Sequence, residues 1–282
     1  MIEKNKRRVV SFSGGRTSAY LCKIMIEIFG RENVDFIYMD TGAEHQKTYD
    51  FIRNVNREFG LDLVCLRGDF NQPLGKGHQY HIVDIENIKP DLEPYRTMVN
   101  KYGTPSAASG WCTSRMKEET HDKYCDDNYG KGNYQTWIGI RADEPKRLGG
   151  VGKSDSLRYM SEVTDAEKYD VLKFWSKMPF DLDIDEWLGN CVFCFKKSNL
   201  KLAAAQRDEP ELYIKWLEMV EAAPDRNKRD GRNSMHMYRK QKTLPEVIAV
   251  FNGSTGEEIK ARIRGSKMID TNSCSESCEV FN

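Results

Sequence analysis

The residues best suited to chemistry lie near the start of the chain, where residues 13–18 combine two glycines, three hydroxyl side chains and an arginine. A strand-like run precedes them and apolar residues at helical spacing follow, which predicts a strand, a turn and a helix. A helix N-terminus presents free backbone N–H groups and favours an anion. Gly14 and Gly15 leave room for a phosphate, and Arg16 can bind one through two parallel hydrogen bonds. The stretch therefore predicts a phosphate-binding turn, with an ordinary capped strand-to-helix turn as the alternative.

A second polar group, Asp-Thr-Gly-Ala-Glu at residues 40–44, follows a second apolar run at residues 34–39. A helix and a third strand at residues 61–66 come next. This alternation predicts an α/β fold in which helices flank a parallel sheet. Ligands of such sheets bind at the carboxyl ends of the strands. We therefore expect both polar groups at the same edge of the sheet.

The chain has eight cysteines, of which Cys191 and Cys194 form a Cys-x-x-Cys pair followed by two lysines. Such a turn lets two sulfurs bind one metal centre, and nearby lysines stabilise thiolates. Zinc sites and redox dithiols share the pattern. Cys112 opens a predicted helix, and Cys274 and Cys278 lie in a polar tail where they have no packing role. These three are further candidates for ligands or exchangeable thiols.

The composition limits the kinds of partner, because 43 basic and 43 acidic side chains balance and create no overall field toward nucleic acid or a membrane. No run reaches membrane-spanning length and the start lacks the apolar stretch of a signal peptide, which predicts a cytoplasmic protein. In that compartment cysteines are metal ligands or redox thiols more often than disulfides. A basic run at residues 226–242 favours nucleic-acid contact, with His236 and Tyr238 placed to stack on bases. A solvated loop is the alternative for that run.

The rest of the chain is expected to divide into a sheet half and a helical half. A fourth strand is predicted at residues 135–141 and a last strand at residues 170–175. A short helix through residues 185–188 and mainly helical structure after it are also predicted. We therefore place a nucleotide-binding α/β domain at residues 1–180. A helical C-terminal region with the Cys-x-x-Cys pair and the cysteine tail then occupies residues 181–282.

Residues 13–18 resemble the Ser-Gly-Gly-x-x-Ser signature of PP-loop enzymes, which split ATP between its α and β phosphates. A Walker A loop is a different motif, and its Gly-Lys-Ser/Thr ending does not occur in this stretch. Many PP-loop enzymes carry Lys-Asp where this chain has Arg16 and Thr17. The resemblance implies a Rossmann-like PP-loop fold that binds ATP together with Mg²⁺.

Over residues 8–200 the chain resembles the phosphoadenosine phosphosulfate (PAPS) reductase family. Four features carry the resemblance in the expected order: Ser11-Phe12 with the glycine turn, residues 40–44 with Thr48-Tyr49, Gly139-Ile140-Arg141 with Glu144 and Arg147, and Cys112 with the Cys-x-x-Cys pair. The resemblance implies binding of an adenosine nucleotide. The implied nucleotide-binding residues are Ser11, Ser13, Gly14, Gly15, Arg16, Thr17, Ser18, Asp40, Thr41, Gly42, Glu44, Gly139 and Arg141.

In the adenylyl-sulfate-reducing branch of that family, a Cys-Cys pair and a later Cys-x-x-Cys pair hold a [4Fe-4S] cluster. This chain has Trp111-Cys112 at the first pair, so one ligand is missing there. Cys274 or Cys278 could supply it, or one iron could stay open to bind sulfur. The metal ligands implied by the resemblance are Cys112, Cys191, Cys194 and Cys274, with zinc as the alternative metal.

Two enzymatic functions fit the resemblance, and Arg16, Arg141 and Cys278 are the catalytic candidates. In the first, which the intact glycine turn favours, the enzyme cleaves ATP to AMP and pyrophosphate and transfers sulfur onto an acceptor, with nucleic acid at the basic run as a candidate. In the second, it reduces adenylyl sulfate or PAPS: Cys278 attacks the sulfate sulfur, and a thioredoxin-like dithiol releases sulfite. A non-catalytic nucleotide- or DNA-binding regulator is the third function, because the usual Lys-Asp is absent.

Overall fold

The computed structural model of the chain describes residues 6–73, 75–106, 109–148, 154–224 and 236–266. It also describes the backbone of two short strands, Lys228–Arg229 and Arg232–Asn233, which pair antiparallel. The tail cysteines Cys274 and Cys278 lie outside these residues. Every structural statement below refers to the described part of the chain.

The centre of the described structure is a six-stranded sheet with the spatial order 4-3-2-1-5-6. Its first and second strands pair in parallel, with Ser11 beside Ile37, so their carboxyl ends lie next to each other. The fourth strand alone runs antiparallel, on the third strand at one edge. An α/β fold with a mainly parallel sheet is thereby confirmed. The strands are β1 (Arg7–Ser11), β2 (Val34–Met39), β3 (Val64–Asp69), β4 (Gln79–Val83), β5 (Tyr134–Ile138) and β6 (Leu157–Tyr159).

Helices cover both faces of the sheet. They are α1 (Arg16–Phe29), α2 (Gln46–Phe59), α3 (Glu93–Tyr102), α4 (Trp111–Thr113), α5 (Glu119–Tyr129), α6 (Lys168–Trp175), α7 (Asn199–Asp208), α8 (Pro210–Glu221), α9 (Leu244–Ile248) and α10 (Gly256–Ser266). Val10 of β1 joins an apolar cluster with α1, α2 and α6. Its neighbour Val9 points to the other face, where Tyr124 and Cys125 of α5 cover it. Within the described residues, no helix has the length and apolarity needed to span a membrane.

The helices after α6 pack against the loop that carries the Cys-x-x-Cys pair. One apolar cluster contains side chains of α3, of α7 to α10 and of that loop. Trp216 of α8 lies at its centre, with ring centroids 5.1 Å from Tyr95 of α3 and 5.7 Å from Phe193 of the loop. The loop therefore has a fixed position between the C-terminal helices and the sheet half of the molecule.

Residues 170–175 form most of helix α6, so the prediction of a last strand there is wrong. Glu167 and Asp170 form a capping box at the start of this helix. Val171 and Trp175 are its buried side chains, and their spacing of four follows the period of a helix. The concentration of β-branched and aromatic residues favoured a strand in the sequence, but burial of one helical face decides the structure.

Residues 185–188 form a turn rather than the predicted helix, closed by a hydrogen bond of 2.9 Å from the Leu188 N–H to the Asp185 carbonyl. Two edge strands, β4 and β6, were not predicted at all. β4 is mainly exposed, and even its apolar Ile82 is 63% exposed. An edge strand of this kind lacks the buried, apolar pattern by which the central strands are recognised.

Candidate functional site

The predicted phosphate-binding turn lies between β1 and α1, at the carboxyl edge of the sheet. Gly14 has a φ of +81°, and a Cβ there would lie 3.0 Å from Ile52 Cδ1 and 3.1 Å from Thr48 Cγ2, so glycine is required. The hydroxyls of Ser13 and Ser18 are 2.8 Å apart, and the Ser13 N–H donates to Ser18 Oγ at 3.2 Å. The turn is therefore closed by its own side chains and leaves its glycine backbone open to a ligand.

A cavity of about 190 Å³ opens beside this turn. Residues 13–16, Glu44 and Thr48 line one side of it, and side chains between residues 182 and 190 line the other. The two polar groups expected at one edge of the sheet therefore do meet there. The second wall was not predicted, because residues 182–190 carry no phosphate-binding pattern and are brought in by the fold.

Arg16 lines the cavity, but its guanidinium is bound by the opposite wall. Nε donates to Asp181 Oδ1 at 2.7 Å and Nη2 donates to Asp181 Oδ2 at 3.0 Å, a bidentate pair. Nη2 also donates to the Leu182 carbonyl. The Arg16 carbonyl accepts from Trp175 Nε1 at 3.0 Å. The arginine suggested by the sequence as a phosphate ligand thus joins the two walls of the cavity.

Arg141 and the residues before it lie behind the turn. Arg141 is 5% exposed, and its Nη1 donates to Thr17 Oγ1 at 3.2 Å while Nε donates to Asp143 at 2.7 Å. Because β5 pairs with β1, residues 139–141 reach the first turn of α1. Ser11 is buried at the end of β1. These predicted nucleotide residues border the turn from inside the protein, whereas Ser13 to Arg16 and Glu44 face the cavity.

Asp40 is the anchor of the loop after β2. Its carboxylate accepts from the Gly42 N–H at 2.9 Å, from the Tyr49 hydroxyl at 3.0 Å and from Arg67 Nε at 2.6 Å. Arg67 also donates to Asp91 at 2.8 Å. Burial raises the pKa of Asp40, and the charge of Arg67 opposes that shift. Arg67 was missed in the sequence, although a charged residue following the apolar part of β3 was a usable signal.

Cys191 lies directly against the loop after β2. Its thiol donates to Glu44 Oε1 at 3.4 Å and lies 3.8 Å from Thr41 Oγ1. The Val192 N–H donates to the Ala43 carbonyl at 3.1 Å. The first cysteine of the Cys-x-x-Cys pair is therefore next to a carboxylate that lines the cavity.

Glu44 is a buried carboxylate with an incomplete set of partners. It is 3% exposed, and its Oε2 has no hydrogen-bond partner among the described residues. Burial raises the pKa of Glu44, which the charge of Lys117 opposes. A buried carboxylate oxygen without a partner is costly unless a ligand completes its coordination.

Cys112, Cys191 and Cys194 share one buried neighbourhood. Burial raises the pKa of Tyr95 and that of Tyr238 well above the usual range, and all three cysteines add to both shifts. The described residues nevertheless contain no group of three or more His, Cys, Asp or Glu side chains placed to hold a metal ion. Thiolates are the right donors for iron–sulfur binding, and both the [4Fe-4S] cluster and the zinc alternative stay predictions. Cys274, the fourth predicted ligand, and Cys278 lie outside the described residues.

Lys197 is the cation behind the cysteine loop. Burial lowers the pKa of its ammonium to about 8, and the charges of Cys194, Glu44 and Cys191 act in the opposite direction. It donates to the Trp187 carbonyl at 2.7 Å and to the Val192 carbonyl at 3.0 Å. Its ammonium group therefore fixes the backbone before the Cys-x-x-Cys turn and within it.

The basic run at residues 226–242 gives little support to a nucleic-acid surface. Tyr238 is 1% exposed, and its hydroxyl donates to the Phe193 carbonyl at 2.5 Å, so the prediction that it stacks on bases is wrong. Arg239 donates to Asn199 and to two carbonyls of the cysteine loop. Arg226 lies outside the described residues, as do the side chains of the two short strands. In the described part of the run, Tyr238 and Arg239 hold the cysteine loop through hydrogen bonds to its carbonyls.

Comparison with known proteins gives three kinds of match. Residues 7–72 match the phosphoadenosine phosphosulfate reductase domain. Uncharacterized nin region protein ORF290 of Escherichia phage lambda is 42% identical over 277 residues, which cover 97% of this chain and 94% of that protein. Uncharacterized protein MJ0066 of Methanocaldococcus jannaschii is 23% identical over 225 residues, 76% of this chain, and the match spans only 42% of that longer protein.

Among solved structures, the NH3-dependent NAD synthetase of Campylobacter jejuni matches with a TM-score of 0.37 and 12% identity, over 78% of this chain and 82% of that chain. The family assignment instead rests on the matched reductase domain, on the phage relative along nearly the whole chain and on the glycine turn observed between β1 and α1. The chain belongs to the same family as nin region protein ORF290 of phage lambda, and it carries a phosphoadenosine phosphosulfate reductase domain at residues 7–72.

Proposed function

We propose that this protein is an ATP-dependent sulfur-transfer enzyme that cleaves ATP to AMP and pyrophosphate. The observation that carries the proposal is the contact between the Cys191 thiol and Glu44 Oε1 at 3.4 Å. Glu44 lines the cavity beside the phosphate turn, so a nucleophilic sulfur lies one side chain away from the place proposed for the phosphates. A nucleotide site alone would not require a thiol at that position.

The turn supplies what a polyphosphate needs. Ser13, Gly14 and Gly15 border the cavity, and α1 begins at Arg16 with its N-terminus at the turn. Free N–H groups and the helix dipole stabilise negative charge there. An acceptor oxygen would attack the α-phosphorus, and pyrophosphate would leave with the bonding electron pair. A sulfur nucleophile would then displace AMP from the activated acceptor.

Mg²⁺ fits the two carboxylates that line the cavity, one on each side. Glu44 Oε2 has no hydrogen-bond partner among the described residues, and Asp185 lines the same cavity. Magnesium in nucleotide sites uses one or two carboxylates together with substrate phosphates. When bound, the ion would neutralise charge on the leaving pyrophosphate. Glu44 and Asp185 are the residues that would hold it.

An iron–sulfur cluster enters the proposal only as a binding hypothesis. The predicted ligands Cys112, Cys191 and Cys194 lie in one neighbourhood but do not form a metal-binding group within the described residues. Iron and acid-labile sulfide, quantified after anaerobic purification, test the hypothesis, and a zinc assay tests the alternative metal.

The experiment that tests the function separates the two enzymatic reactions. The anaerobically purified chain is incubated with Mg²⁺-ATP, a sulfide donor and bulk tRNA or duplex DNA as trial acceptors, and AMP and pyrophosphate are measured. A parallel incubation with adenylyl sulfate or PAPS and a thioredoxin-like dithiol measures sulfite. Pyrophosphate release that Gly15→Trp abolishes would support the proposal. Sulfite release without pyrophosphate would instead identify a reductase, and absence of nucleotide binding would refute both.

A further inference from the structure

The cavity is small for its proposed ligand. Its volume is about 190 Å³, whereas pockets that hold whole small-molecule ligands span about 300–1,000 Å³. A complete nucleoside triphosphate therefore requires a wider site than the one observed. The part of the cavity wall that can shift is residues 181–185, which have no helix or strand of their own and precede the buried Trp187.

Arg16 is the single cation among the described residues that line this cavity. The bidentate pair with Asp181 occupies the edge of its guanidinium, which is also the edge that binds phosphate oxygens. A carboxylate and a phosphate present similar pairs of oxygen atoms to an arginine. In the observed arrangement Asp181 thus takes the position that a nucleotide phosphate would take.

The pair is accessible enough to exchange partners. The Arg16 side chain is 20% exposed and that of Asp181 is 40% exposed. Partly exposed ion pairs contribute little net stability, because water and salt screen them. A polyphosphate carries more charge than a carboxylate and can compete for the guanidinium. Asp181 also begins the segment that narrows the cavity, since Leu182 and Ile184 line it.

We propose that Asp181 is a specificity-determining residue that occupies Arg16 until a polyphosphate displaces it, which frees residues 182–185 to widen the cavity. The inference rests on the proposed function, because it takes ATP as the ligand. A ligand with a phosphate chain can form new contacts with Arg16 that offset the loss of the Arg16–Asp181 pair. A ligand without phosphates forms no such contacts and therefore binds more weakly. The site thereby selects for polyphosphates over uncharged nucleosides.

Calorimetry with ATP and with inorganic tripolyphosphate tests this inference on four proteins. In Asp181→Asn the competing charge is gone, and both ligands are expected to bind about threefold to tenfold more tightly than to the wild type. Arg16→Met is expected to bind both about tenfold more weakly. The double variant Arg16→Met/Asp181→Asn should bind no more tightly than Arg16→Met, because Asp181 acts through Arg16.

Asp183→Asn is the matched control. Its side chain is 97% exposed and pairs with Lys47 at 3.4 Å, so this change removes the same charge two residues away. Its ATP affinity should equal that of the wild type. Equal tightening in Asp183→Asn, or in the Arg16→Met background, would show a general charge effect and overturn the inference. Unchanged affinity of Asp181→Asn for ATP would also overturn it and leave the proposed function standing. Failure of the wild type and of all four variants to bind ATP would refute both the inference and the proposed function.

Discussion

The two walls of the cavity are built in different ways. The turn at residues 13–18 is closed by contacts within itself, such as Ser13 with Ser18, and Trp175 and Arg141 support it from behind. The opposite wall is fixed by partners distant in sequence: Asp181 with Arg16 across 165 positions, and Cys191 with Glu44 across 147. One wall is therefore encoded locally, and the other exists only once the fold is complete.

This difference in construction suits the two walls to different roles in ligand binding. A turn that is closed by its own hydroxyls and by glycine keeps its shape with or without a ligand, which suits the binding of phosphate. The part of the opposite wall before the buried Trp187 is held to the turn by the partly exposed Arg16–Asp181 pair, and such a pair can change partners at low cost, which suits ligand selection. The loop after β2 connects the walls, because Asp40 orders it on the sheet side and Glu44 meets Cys191 on the other.

The largest expected effect comes from breaking the buried support of that connecting loop. In Arg67→Met, the carboxylates of Asp40 and Asp91 lose their shared cation. Removing one partner of a buried ion pair leaves uncompensated charge, and we expect a loss of about 3 kcal/mol in the free energy of unfolding. Urea denaturation measures it. Lys123→Met, which breaks a surface pair with Asp127, is the control and should cost less than about 1 kcal/mol.

The same variant has a defined pH dependence. Burial already raises the pKa of Asp40, and loss of Arg67 raises it further. An acid whose pKa is higher in the folded state binds more protons there, so its contribution to stability falls as pH rises through the interval between the unfolded and folded pKa. The deficit of Arg67→Met relative to the wild type should therefore be smaller at about pH 4 than at about pH 7. An equal deficit at both pH values would contradict the role of the Asp40 charge.

The next largest effect is expected from a change in the turn at residues 13–18 that leaves the opposite wall of the cavity intact. Gly15→Trp places an indole at the N-cap of α1, where the phosphates are proposed to bind. We expect ATP affinity to fall by at least about a hundredfold, with the far-ultraviolet circular dichroism spectrum unchanged. Gly253→Trp is the control, since a Cβ there meets nothing within 4 Å, and it should bind ATP normally. Equal loss in both variants would mean that the turn is not the site.

The contrast between the walls also explains how much could be predicted from the sequence. The strands β1 and β2, the turn and the meeting of residues 13–16 with Glu44 follow from local patterns and from the rule for parallel sheets. Asp181 and Arg67 have no local pattern, because each acquires its role from a partner on another element. Tyr238 was read as exposed from its basic neighbours, but it is buried against Phe193.

A smaller effect is expected from a change at Glu44, and it tests whether this carboxylate helps to bind Mg²⁺. Glu44→Gln removes the charge but keeps an amide oxygen that can accept from the Cys191 thiol. If Glu44 helps to hold Mg²⁺, calorimetry should show that Mg²⁺ strengthens ATP binding by about tenfold in the wild type and by less than about twofold in the variant. Metal-free ATP should bind the variant at least as tightly as the wild type, because a negative charge is gone. A full Mg²⁺ effect in Glu44→Gln would exclude Glu44 as a ligand.

The smallest effect is expected from a change in the contact that holds the Cys-x-x-Cys loop against residue 238. In Tyr238→Phe the Phe193 carbonyl loses the buried hydroxyl that donates to it at 2.5 Å. A buried acceptor left without its partner costs about 1–2 kcal/mol, which urea denaturation can resolve. Tyr169→Phe is the matched control, because Tyr169 is 69% exposed and its hydroxyl can bond water instead. A loss confined to Tyr238→Phe would show that the cysteine loop depends on a side chain more than forty positions away, whereas no loss would mean that the apolar cluster alone holds it.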